Sequence, residues 1–128
     1  VKSILIIGMG GFIGAVLRYA VSGYVQTINP KTLLPVGTLA VNLIGCFLIG
    51  FLATLAETRG ALTPDARLFW LIGVLGAFTT FSTFGYETLA LLRDGQNLLT
   101  LLNVGLQVMV GLFAVWAGSA LVRAVWGG

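Results

Sequence analysis

The 128-residue sequence predicts an all-α integral membrane protein of four transmembrane helices with a broken third helix. Apolar residues make up 58% of the chain and charged residues only 9%, against roughly 45–50% and 25% in soluble domains. So few charges cannot coat a water-soluble surface. They are also segregated: residues 32–56, 68–86 and 95–122 hold no Asp, Glu, Lys or Arg. Each run meets or approaches the roughly 20 apolar residues that cross a bilayer core. The third observation is the stretch Gly76-Ala77-Phe78-Thr79-Thr80-Phe81-Ser82-Thr83-Phe84, which sets glycines and hydroxyls where a bilayer favours leucine.

The first span runs from Ser3 to about Val25 and is apolar except for Arg18. Lys2 and residues 3–17 imitate a signal peptide, but no polar mature domain follows, so the segment reads as a span. Asn29-Pro30-Lys31 and Pro35 end the first connection, Arg59-Gly60 and Pro64-Asp65 mark the second, and Arg93-Asp94-Gly95-Gln96-Asn97 is a turn. Helices are therefore expected at about 3–25, 36–56, 67–93 and 97–125, in one transmembrane domain. Connections this short make neighbouring spans antiparallel and put both termini on one side. That side carries Lys2, Arg59, Arg67 and Arg123; the other carries Lys31 and Arg93, with Arg18 near its boundary. The bias is weak for a rule that orients spans by Lys and Arg. It is compatible with insertion in both orientations, and hence with an antiparallel homodimer. Four helices of this size pack their own interior, so a wet pathway requires oligomerisation. Gly10, Gly14, Ala114 and Gly118 are small enough to let helices approach closely in lipid.

Several functions are disfavoured. The seven basic residues are dispersed, with no basic run or face for nucleic acid. Cys46 is the single cysteine, so one chain can build no disulfide, and the absence of histidine removes the usual neutral-pH proton carrier. The segment Ile4 to Gly14 imitates a strand and a dinucleotide-binding glycine turn. The spacing is wrong, because Ile13 occupies the third glycine's place and no acid follows near residues 28–31.

The polar residues inside the spans are the candidate site. Arg18 reads either as a snorkelling anchor or as a cation at the mouth of an anion pathway. Asn42 is either interhelical glue or a ligand-facing donor, its NH₂ group having two hydrogens to give. In the third span four hydroxyls accompany Phe81 and Phe84, within a segment loosened by Gly73, Gly76 and Gly85. Hydroxyls can simply bond their own helix's carbonyls, but four in six residues exceed that need. Irregular backbone at membrane depth survives only under protein or beside a watery cavity, and broken helices often carry ion sites. Phe81 and Phe84 share a helical face, and a phenyl edge is electropositive, so it can meet a small anion. Glu87 is the one carboxylate within a span, either a proton carrier or a structural group near a vestibule. Asn103 and Gln107, at i and i+4, read as interhelical hydrogen bonding.

With these motifs in order, Gly14-x-x-x-Arg18, Gly37-Thr38-x-x-x-Asn42 and Gly76-x-x-Thr79-Thr80-Phe81-Ser82-Thr83-Phe84-x-x-Glu87, the whole chain resembles the bacterial Fluc fluoride channels, also called the CrcB family. The resemblance implies a dual-topology antiparallel homodimer in the bacterial inner membrane. It would pass fluoride out of the cytoplasm down its electrochemical gradient through two pores, each lined by both chains. It also implies that Asn42, Phe81 and Phe84 contact fluoride, that Ser82 and Thr83 form a polar track with Glu87 close by, and that Arg18 sits near the pore entrance. A structural sodium ion on the dimer axis would be held by the backbone carbonyls of Gly76 and Thr79. The sequence departs from the family pattern at Ala77, where a second glycine is usual; alanine suits a helical backbone there and would strain a positive φ.

Physical chemistry agrees with that implication. A small, strongly hydrated anion needs amide, hydroxyl and ring-edge donors in place of water, and weak multiple sites let it leave again. A fixed cation would offset part of the desolvation cost. A proton-coupled small multidrug exporter is the first competitor, but it needs a glutamate in the first span, where this chain has Arg18. A non-transporting membrane assembly subunit is the second. A nucleotide-dependent membrane enzyme lacks both a phosphate loop and a catalytic dyad.

Overall fold

The computed structural model describes residues 1–127 and is all-helical. Four helices are long and apolar enough to cross a membrane: Lys2–Thr27, Val36–Arg59, Pro64–Arg93 and Asn97–Trp126. Their ends follow from local chemistry. The second span stops at Gly60, whose left-handed backbone (φ 59°, ψ 29°) lets its N–H donate to the Ala56 carbonyl at 3.1 Å. The third starts at Pro64, behind Thr63, whose hydroxyl accepts from the Ala66 N–H at 3.1 Å. Gly95, at φ 74°, turns the chain into the fourth.

Polar side chains tie the N-terminus, second connection and C-terminus together at one end. Lys2 Nζ lies 2.9 Å from Asp65 Oδ2, Arg59 donates to the Trp126 carbonyl at 3.3 Å, and Arg67 donates to the Ala56 carbonyl at 3.2 Å. Such an alignment requires antiparallel neighbours.

The first span packs on the third and the second on the fourth. Glycine makes both contacts close. A Cβ on Gly14 would strike the Val74 carbonyl, and one on Gly118 would strike the Phe47 carbonyl. In lipid there is no hydrophobic drive to join helices, so dispersion gained at such short range carries the association. Val41, Val122 and Asn103 are fully enclosed, while Phe12, Leu112, Phe113 and Trp116 face outward, as apolar side chains in a bilayer should.

Two stretches depart from α geometry by widening to i→i+5 hydrogen bonding, Leu68–Leu75 and Leu106–Val110. In the third span the dihedrals become extended at Thr79 (φ −88°, ψ 160°) and Thr80 (φ −152°, ψ 116°), and helix resumes at Phe81. Ala77 keeps helical geometry within Gly76–Phe78, and no described non-glycine residue has positive φ. Alanine in place of the usual glycine therefore carries no backbone strain here.

Candidate functional site

The extended pair at Thr79 and Thr80 would strand backbone groups in the membrane unless something replaced the lost helical bonds. Asn42, from the second span, does most of this. Its Oδ1 accepts from the Thr80 N–H at 2.8 Å, and its Nδ2 donates to the Thr80 carbonyl at 3.1 Å. A second Nδ2 hydrogen goes to Gln107 Oε1 on the fourth span at 3.0 Å. The backbone N–H decides which Asn42 atom is oxygen, so its nitrogen is the donor and the Gln107 atom it reaches is an acceptor. The Asn42 amide has no donor to spare.

Thr80 also caps the helix that resumes behind it. Its hydroxyl accepts from the Thr83 N–H at 3.2 Å and donates to the Thr83 hydroxyl at 3.0 Å. Thr79 turns back, its hydroxyl donating to the Leu75 carbonyl at 3.2 Å. Arg18 Nε donates to the Ala77 carbonyl at 3.1 Å, which places the guanidinium against the end of the preceding helix turn, where a cation also meets the negative end of the helix dipole.

The diversions have a counterpart. The Thr80 N–H that a continuous helix would give to Gly76 goes to Asn42 instead, and the Thr83 N–H that would go to Thr79 goes to the Thr80 hydroxyl. The carbonyls of Gly76 and Thr79 thus lose their helical donors. Hard cations select oxygen ligands of this kind, so the donor set suits a small alkali ion. No group of three or more His, Cys, Asp or Glu converges among the described residues.

These groups border an open cleft of about 300 Å³, lined by Asn42, Gly76, Thr79, Phe81, Phe84 and Gln107 among others. The Phe81 and Phe84 rings meet edge to face, with centroids 5.5 Å apart at 62°. Phe84 is 8% exposed and Phe81 81%, so one ring is held by its own chain and the other stands free at the rim. Ser82 is exposed and Thr83 half-buried, on the same turn between the two rings. Glu87 lines a second cleft of about 320 Å³ with Gln26, Asp94 and Gln96, at the end opposite the termini, and its Oε1 is buried without a hydrogen-bond partner. The structure therefore gathers Asn42, Gly76, Thr79, Phe81 and Phe84 around one cleft. Arg18 backs the extended pair, and Glu87 belongs to the second opening.

Asn103 and Gln107 both make interhelical bonds, Asn103 Nδ2 to the Thr88 hydroxyl at 2.9 Å and Gln107 to Asn42. Thr80 and Gln107 had no assigned role at the site from sequence. For Thr80 a signal existed: a threonine immediately before a helical pattern is a strong N-cap. For Gln107 only the polar stripe with Asn103 hinted at it.

The class so defined is a small multi-pass membrane protein whose polar groups sit inside its spans, around a cleft open to one side. The chain belongs to the CrcB family: the family model described as CrcB-like protein, Camphor Resistance (CrcB), matches residues 5–119. The chain is 44% identical over 123 residues to the Fluoride-specific ion channel FluC 3 of Methanosarcina barkeri, covering 96% of this chain and 92% of that one. It is 46% identical over 117 residues to the Fluoride-specific ion channel FluC 1 of Methanosarcina acetivorans, with 91% and 88% covered. Over 122 residues it is 45% identical to the Fluoride-specific ion channel FluC of Campylobacter jejuni, with 95% and 98% covered.

Proposed function

We propose that this protein is a fluoride-selective ion channel, and not an enzyme, that lets fluoride leave the cytoplasm down its electrochemical gradient. The observation that carries the reading is near full-length similarity, at 44–46% identity, to relatives named fluoride-specific ion channels. The cleft supplies what such a function needs: neutral donors and ring edges, whose attraction for an anion is weak enough to release it.

The working unit in this reading is an antiparallel homodimer in the bacterial inner membrane, with two pores each lined by both chains. Its support is the cleft's open side and the Phe81 ring, 81% exposed in one chain, together with the weak charge bias between the two faces. The third span works as a broken helix, with Thr79 and Thr80 as the break. The fluoride pathway runs past Asn42, Phe81, Ser82, Thr83 and Phe84 toward Glu87, with Arg18 near its entrance. The carbonyls of Gly76 and Thr79 would hold a structural sodium ion where two copies meet. When bound, that ion supplies positive potential beside the anion path. The chain's own task is to keep the two carbonyls free, which Asn42 and the Thr80 hydroxyl do by taking the N–H groups of Thr80 and Thr83.

The test is efflux from liposomes loaded with sodium fluoride or sodium chloride and read with ion-selective electrodes. Rapid fluoride release with little chloride release is expected. Equal rates for both anions would overturn the selectivity, and no release of either would overturn the channel.

A further inference from the structure

At the end that carries the termini, Lys2, Arg59, Arg67 and Arg123 stand against Glu57 and Asp65. Lys2 occupies Asp65, the one ion pair among the described residues. The three arginines are exposed, and no described carboxylate, Glu57 included, makes an ion pair with any of them. Arg59 and Arg67 each give one hydrogen bond to a backbone carbonyl, of Trp126 and Ala56, and keep their other N–H groups. This charge lies outside both clefts described above. We infer that this end binds the headgroup of an anionic phospholipid, held between Arg59 and Arg123 beside Trp126.

The helices fix the geometry. The second and fourth spans touch backbone to backbone at Gly50 and Gly118, and both end on this side. At that level Arg59 Nη1 donates to the Trp126 carbonyl at 3.3 Å. Arg123 lies one turn before Trp126 on the same face of the fourth span, so neighbouring spans bring two guanidiniums to the last turn of one helix. Their remaining N–H groups suit phosphate oxygens, which arginine takes in pairs. Trp126 is itself held, its ring edge-on to Phe51 with centroids 6.1 Å apart at 68°, yet it stays exposed, as an indole at headgroup depth does. Leu121 and Val125, four residues apart and both exposed, continue toward the membrane centre as an apolar strip for an acyl chain. The bilayer supplies the occupant, and charge complementarity selects its anionic members. In the proposed antiparallel dimer each leaflet would receive one such site.

The experiment uses the full chain with Trp70→Phe and Trp116→Phe, which leaves Trp126 as its only tryptophan. It is reconstituted in phosphatidylcholine vesicles that contain either brominated phosphatidylglycerol or brominated phosphatidylcholine, whose bromines quench an indole they touch. Quenching of Trp126 is expected to show about a fivefold preference for phosphatidylglycerol, the effect of one arginine engaged at a headgroup. Arg59→Gln with Arg123→Gln should abolish the preference. Lys31→Gln with Arg93→Gln, which removes the same charge at the opposite end, should leave it intact. Equal quenching by the two lipids, or a preference that survives the paired arginine change, would overturn the site. A preference lost equally in the Lys31 and Arg93 variant would make it an effect of net charge and overturn the site as well. Native mass spectrometry of the chain with all three tryptophans, comparing phosphatidylglycerol retained with and without the paired arginine change, reads the same preference where the tryptophan changes unfold the protein; equal retention there overturns it.

Discussion

Replacing Asn42 by aspartate changes one atom's chemistry and leaves its shape, so its consequences can be worked from the three bonds it makes. The aspartate keeps one oxygen for the Thr80 N–H, at the place of the present 2.8 Å bond. Its other oxygen replaces a nitrogen that donates to the Thr80 carbonyl at 3.1 Å and to Gln107 Oε1 at 3.0 Å. The contact with the Thr80 carbonyl becomes acceptor–acceptor, whereas the Gln107 amide can turn and donate its otherwise unpartnered nitrogen to the carboxylate. At about 1 kcal/mol for the lost bond and about 1 kcal/mol or more for the stranded carbonyl, Asn42→Asp should cost on the order of 2 kcal/mol, to which burying the new charge adds. Asn42→Leu removes all three bonds but repels nothing, and it frees the Thr80 N–H to return to Gly76, so the third span can close into a continuous helix. Denaturant unfolding in detergent should rank wild type above Asn42→Leu and Asn42→Leu above Asn42→Asp. Fluoride efflux should fall at least tenfold in both, a loss equivalent to 1.4 kcal/mol. An aspartate variant that unfolds with the wild type and conducts with it would refute the clamp.

Two further perturbations test the walls of the cleft. Gly45→Ala should destabilise by about 1–3 kcal/mol, as overpacking does, because its Cβ would strike the Thr79 Cγ2; adding Thr79→Ser, which deletes that methyl, should restore both the unfolding midpoint and the flux. Phe81→Ile and Phe84→Ile should both slow fluoride efflux, with the proposed dimer persisting on size-exclusion chromatography. Only Phe84→Ile, which alters a ring 8% exposed rather than 81%, should lower stability of the single chain's fold, by about 1 kcal/mol.

The four spans were legible because three charge-free runs and the Ser3–Val25 segment state them almost directly, and the turns because Gly60, Pro64 and Gly95 have few other uses in such a chain. The third span's irregularity was legible in position but not in extent. Polar composition marks residues 76–84, whereas only Thr79 and Thr80 leave helical dihedrals; the Thr80 cap draws Phe81, Ser82, Thr83 and Phe84 back into helix, and composition does not reveal a cap's reach. The pairing of Asn42 with Gln107 was not legible at all. It depends on where the second and fourth spans cross, which is set by close approach at Gly50 and Gly118, and on a widened turn at Leu106–Val110. A shift of one residue in hydrogen-bond register leaves no mark on an apolar sequence.

Interrupting a helix in a bilayer sets donors and acceptors loose together, and each must be matched or used. Here the matching is unequal in a definite sense. Two donors are diverted: Asn42 takes the N–H of Thr80, and the Thr80 hydroxyl takes that of Thr83. The carbonyls of Ala77 and Thr80 are met by Arg18 and Asn42. These diversions deprive the carbonyls of Gly76 and Thr79 of their helical donors. Among the side chains beside them a donor is left over, on Gln107. One amide on the second span takes part in both, since the oxygen of Asn42 withholds an N–H from Gly76 and its nitrogen turns the Gln107 N–H groups outward from the pair. A substitution at Asn42 should therefore return the Thr80 N–H to Gly76 and weaken the proposed cation site, although Asn42 itself need not touch the ion.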